Sequence, residues 1–158
     1  MNVAVSQQTP PHIITCPITF LTSTSGSIYV GCDVPQHEVE PYLRELAAEE
    51  PGDFHAMRRN QSIRDRGHFH ATVISPPELE SIAQTVPSDV VGESVRLILS
   101  GLGKAVRGRH RSFFVVVQCE RIAELRHSLG LGNRDLHVTL GFDQDDVHDI
   151  SKDRTTLI

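Results

Sequence analysis

The chain alternates between short runs with a two-residue apolar period and segments with a helical period. "SGSIYVGCDV" (25–34) predicts a strand, punctuated by Gly-Ser before it and Pro35 after it. "PQHEVEPYLRELAAEE" (35–50) places Val39, Leu43, Leu46 and Ala47 at helical spacing, and Pro35 suits a first helical turn. Residues 51–67, "PGDFHAMRRNQSIRDRG", are polar, basic and unperiodic, and predict a loop. "HFHATVIS" (68–75) alternates again and stops at Pro76-Pro77, after which "PELESIAQTV" (77–86) predicts a short helix. "SVRLILSGLGKAV" (94–106) predicts a strand interrupted at its glycines, and "RGRHR" a turn. "SFFVVVQC" (112–119) is apolar on both faces, as a buried strand is. "ERIAELRHSLGL" (120–131) is an amphipathic helix closing near Gly130, and "DLHVTLGF" (135–142) is a last strand. The acidic tail from 143 to 158 carries no readable pattern. Residues 1–11 predict a loose lead-in, and 12–158 a single domain.

The order strand–helix–strand occurs twice. "IYVGCDV", a helix and "HATV" form the first copy; "FFVVVQC", a helix and "HVTL" form the second, with Cys32 and Cys119 at matching places. Identity between the copies is low, so this is a repeat of pattern. Two such units can share one sheet or pack as two lobes. A pseudo-two-fold axis then sets the two His-x-Thr strands side by side, facing one groove.

The 158 residues carry a formal net charge of −5, which argues against sequence-blind DNA binding through many phosphate contacts. Trp is absent and aromatics make up 5%, so no large stacking platform for single strands is available. Positive charge is local: Arg58, Arg59, Arg64 and Arg66 in one stretch, Lys104, Arg107, Arg109 and Arg111 in another. Three cysteines without metal-type spacing, and no secretory or membrane-length apolar run, predict reduced thiols in a cytoplasmic protein.

Residues i and i+2 of a strand share a face. His70 and Thr72 therefore point one way, as do His137 and Thr139, while Phe69, Ala71, Val73 and Leu136, Val138, Leu140 point the other. A histidine titrates near neutrality and can act as base or acid. A threonine hydroxyl can hold a phosphoryl oxygen. Two facing pairs suit in-line displacement at phosphorus: one imidazole takes a proton from the attacking oxygen, the other gives one to the leaving oxygen, and no metal or cofactor is required. Two such copies, each followed by Val or Leu, arise by chance in roughly one chain in a hundred.

"HATV" (70–73) and "HVTL" (137–140), together with "LILSGLGKA", a following apolar strand and a helix, resemble the 2H phosphoesterases over residues 26–142. The ending "DVHDISKDRTTLI" resembles the Swiss-army-knife, RNA-repair-like branch. The resemblance implies an α/β (α+β) fold of two pseudo-symmetric lobes, mostly antiparallel sheet with outer helices, around a central cleft. It further implies hydrolysis of 2′,3′-cyclic phosphate or related ends of RNA or nucleotides, possessing a ligase-like reverse in some members. His70, Thr72, His137 and Thr139 are carried over as catalytic, with His137 the base and His70 the acid or the reverse.

Around these, His68, Arg64, Arg66, Arg109, Arg111 and Tyr29 are candidate substrate contacts, with Arg suited to bidentate phosphate binding. Phe20 is a weaker aromatic candidate. His148 and Lys152 are candidates for closing over the cleft. Two alternatives stay open: a module that binds a phosphate end without turnover, and a metal-dependent hydrolase using His68, His70 and His137. The sequence sets no oligomeric state, and a monomer suffices for the site.

Overall fold

A computed structural model describes residues 8–82 and 90–158. The elements run β1 (His12–Thr22), β2 (Ile28–Val34), α1 (Gln36–Glu49), α2 (Phe54–Asp65), β3 (Phe69–Ile74), α3 (Pro76–Ile82), β4 (Ser94–Arg107), β5 (His110–Gln118), α4 (Glu120–Ser128) and β6 (His137–Phe142). The six strands are antiparallel throughout and close in the order β1-β2-β3-β6-β5-β4. Strands β1, β2, β3 and β4, β5, β6 therefore occupy equivalent places, and the halves meet at two seams, β1/β4 and β3/β6. This is the expected α+β architecture, with one strand, β1, that the sequence pattern did not show.

One face of the sheet and the helices enclose the main core. Phe69, Ala71 and Val73 of β3 and Val138 and Leu140 of β6 join Val39, Tyr42 and Leu46 of α1 and Ile122 of α4 in one buried cluster. Burying each such side chain contributes about 1.5–3 kcal/mol. Strand alternation turns the intervening residues of β3 and β6 away from that core. A smaller cluster of Ala105, Phe114, Val116 and Val147 lies under the C-terminal segment.

Three expectations change. β1 is a strand the pattern did not reveal. It pairs with β4 through His12–Pro17 and with β2 through Ile18–Thr22. Pro17, which has no N–H to give, stands where β1 passes from one partner to the other.

The predicted loop at 51–67 is largely α2. Its inward face is mixed: Met57 joins the main core while Gln61 is the other buried residue, and three polar side chains of the helix bond backbone carbonyls. Arg58 Nη1 donates to the Leu140 carbonyl at 2.5 Å, Asn60 Nδ2 to that of Phe142 at 2.9 Å, and Gln61 Nε2 to that of His68 at 2.8 Å. Gly141 permits the approach, because a Cβ there would lie 3.0 Å from Met57 Cβ.

The tail is also ordered against the sheet: Leu157 bridges Gly103, and the Ile158 amide donates to the Leu102 carbonyl. The predicted helix at 77–86 is α3, with 83–86 outside the described residues. Residues 1–7 of the predicted lead-in are likewise outside them. Gln8 and Thr9 are tied to the Ile158 carbonyl and to Glu45.

Candidate active site

The β3/β6 seam builds the site. Its ladder pair is Ala71↔Val138. In an antiparallel register the flanking residues then lie crosswise: His70 opposite Thr139, Thr72 opposite His137. Each imidazole thus faces the hydroxyl of the other motif, and all four side chains line one cavity of about 770 Å³. Close packing behind them holds the strands in place. Gly31 of β2 pairs with Thr72, and a Cβ on it would meet the Ala71 carbonyl oxygen at 2.7 Å.

The two rings sit in different surroundings. His137 Nδ1 lies 2.8 Å from the Asp135 carbonyl oxygen. A carbonyl only accepts, so Nδ1 carries the proton and Nε2 keeps a free lone pair. Burial, reinforced by the Lys152 ammonium, pushes the His137 pKa down to about 3. His70 is also lowered by burial, but Asp65 and Asp33 pull it back up while Arg64 and His68 oppose them. The Tyr29 ring packs against it, tilted, with centroids 5.5 Å apart.

Four fixed cations line the cavity, Arg64, Arg66, Arg134 and Lys152, against four carboxylates, Asp33, Asp65, Asp135 and Asp146. With neutral imidazoles the lining is charge-balanced. A proton on one histidine makes it positive, so anion binding and histidine protonation favour one another. Arg64 is fixed: Nη1 donates to Asp146 at 2.5 Å and Nη2 to Asp65 at 2.9 Å. Asp146 also accepts from the Ser112 hydroxyl at 2.6 Å, and against the cost of burial the Lys152 ammonium, with Ser112 and Arg64, holds its carboxyl well below the usual range.

Of the sequence candidates, His68, His70, Thr72, His137, Thr139, Arg64, Arg66 and Tyr29 line this cavity, as do His148 and Lys152 of the tail. Arg109, Arg111 and Phe20 do not. Arg111 is spent elsewhere, bonded to Asp143 at 2.8 Å and paired with Glu50 at 2.7 Å and Asp53 at 3.0 Å. Most of that basic stretch holds the fold: Lys104 pairs with Glu50 and Arg107 with Asp149. The sequence reading passed over Arg134, Asp33, Asp135 and Asp146. Only Asp33 and Asp135 carried a signal, lying in or beside the motif strands. Among the described residues no group of three or more His, Cys, Asp or Glu side chains is arranged to hold a metal ion. Nor is any helix among them long and apolar enough to cross a membrane.

A family model described as Swiss Army Knife, 2H phosphoesterase domain, matches residues 29–148. The chain belongs to this family, which supports a phosphoesterase function acting on phosphodiester bonds. No curated protein and no solved structure matches it.

Proposed function

We propose that the protein is a metal-independent phosphodiesterase that opens 2′,3′-cyclic phosphate ends of RNA or nucleotides. The crosswise register of two His–Thr pairs on one cavity carries this reading. His137 Nε2 takes a proton from water as the water oxygen bonds to phosphorus. The bond from phosphorus to one ribose oxygen breaks, and the His70 imidazolium gives that oxygen its proton. The product is a phosphomonoester beside a free hydroxyl; one water has been added. Thr72 and Thr139 hold the non-bridging oxygens, and Arg64, Arg66, His68 and Tyr29 form the surrounding contacts.

The local charges support this direction of proton flow. His137 is kept neutral, as a base must be, and the carboxylates near His70 together with the bound anion favour its protonated form. The test is a short RNA ending in a 2′,3′-cyclic phosphate, incubated in excess EDTA with wild type and with the His70→Ala/His137→Ala double variant. Ring opening by wild type alone is the expected result, and the end formed identifies the leaving oxygen. An intact ring with measurable binding would instead make the protein a phosphate-end binding module, activity lost in EDTA would make it a metal-dependent hydrolase, and joined products would make it a ligase.

A further inference from the structure

The cavity contains a buried cation that the scheme above leaves without a task. Lys152 lies in the segment after β6, beyond the residues matched by the family. Its side chain is 4% exposed. A buried ammonium is costly unless paired, and the carboxylate it meets is shared. Nζ lies 3.1 Å from Asp146 Oδ1, while Asp146 also serves Arg64 and Ser112. The ammonium stands 5.4 Å from the centre of the Phe114 ring, and that ring meets the His137 imidazole edge-on at 5.7 Å. The Lys152 main chain adds a second link. Its N–H donates to Asp135 Oδ2 at 3.3 Å, and the Asp135 carbonyl accepts the His137 Nδ1 proton.

We propose that Lys152 is a positioning residue that assigns the role of base to His137, acting through its charge and through Asp135. This inference rests on the proton-transfer scheme proposed above. The groups facing His137 fall into two sets. Lys152 and Arg134 oppose a proton on the ring, whereas Asp146 and the Asp135 carbonyl favour one. Arg64, on α2, already occupies Asp146 from the other side. Removing the Lys152 charge therefore leaves the carboxylate set less opposed. The C-terminal segment, by this reading, adds to the unlike surroundings that leave His137 the motif histidine free to accept a proton.

The test uses the full chain with 15N-labelled histidine, as wild type, Lys152→Met and Lys152→Arg. Long-range 1H–15N correlations report the tautomer and titration of His137, and kcat/KM against pH reports the same group in turnover. In wild type the Nδ1–H form should persist to well below 6.5, the ordinary histidine value. In Lys152→Met the titration, and the acid limb with it, should move up by about one pH unit, the order expected for loss of one nearby, partly screened unit charge. Lys152→Arg should restore the wild-type position. Should the Met variant not fold, Lys152→Gln, whose amide keeps a donor toward Asp146, serves in its place. A His137 titration unchanged by loss of the charge overturns the proposal, even where activity falls. A His137 shift without turnover of cyclic phosphate by any form leaves the role of Lys152 standing and removes the proposed reaction instead.

Discussion

In the first half of the molecule, β2 places Asp33 beside His70; in the second, β5 places Val116 beside His137. Strand order and motif are the same in both halves, yet one imidazole looks onto carboxylates and the other onto an apolar strand and a buried lysine. A duplicated fold supplies two like groups at mirrored positions. Only the unlike neighbours make one an acid and the other a base, which is how paired titratable groups acquire separate tasks.

Replacing either histidine breaks the comparison most severely. His70→Ala and His137→Ala should each lower kcat by about 10²–10⁴-fold, the span of general acid–base catalysis. Steady-state rates on the cyclic-phosphate RNA check this, with circular dichroism to confirm folding; near-wild-type turnover in either variant rules out the scheme. Thr72→Ala and Thr139→Ala should cost less, about 1.5–3 kcal/mol each, one hydrogen bond to a charged oxygen. Unchanged kcat/KM in both would remove the phosphate-holding role.

The pH profile sharpens the contrast. The base works when unprotonated, and His137 loses its proton at about 3. The acid works when protonated, and His70 in the free protein lies below 6.5. The kcat/KM optimum should therefore fall on the acid side of neutrality, whereas two unperturbed imidazoles would place it near neutral. In the kcat profile the basic limb should lie higher, because the bound anion raises His70. Asp33→Asn should draw the basic limb of kcat/KM downward by less than about one pH unit, since Asp33 is exposed and screened. A limb that moves upward would contradict the assignment.

The smallest effect is expected at Arg111. Arg111→Ala should leave kcat/KM unchanged while lowering the thermal midpoint, because Arg111 ties β5 to Glu50, Asp53 and Asp143, none of which lines the cavity.

The catalytic pattern was legible because a strand's two-residue period maps directly onto faces. His70, Thr72, His137 and Thr139 could be placed together without knowing how the halves meet. Arg64 was found for its proximity to the first motif, but Arg109 and Arg111 were selected only because Arg suits phosphate, and the carboxylate partners of Arg111 come from distant segments. α2 escaped because hydrophobic periodicity is silent on a helix that docks through Arg58, Asn60 and Gln61 onto backbone carbonyls. β1 escaped because its apolar residues do not keep to one buried face: Ile14, Cys16 and Ile18 are buried, but Phe20 in the same alternation is 55% exposed and Ile13 on the other face is 52% exposed. The tail's importance lies in long-range pairs such as Lys152 with Asp135, which no local pattern encodes.

The ring of strands is stitched unevenly. β1 and β4 share six partner pairs, from His12↔Leu99 to Pro17↔Ser94, whereas β3 and β6 share Ala71↔Val138. The sheet behaves as a long ribbon bent round and fastened by a short clasp, and the clasp runs through the floor of the cavity. Parting a seam with few ladder bonds costs less than parting a full one. Amide exchange at the clasp should therefore outpace that at the β1/β4 seam.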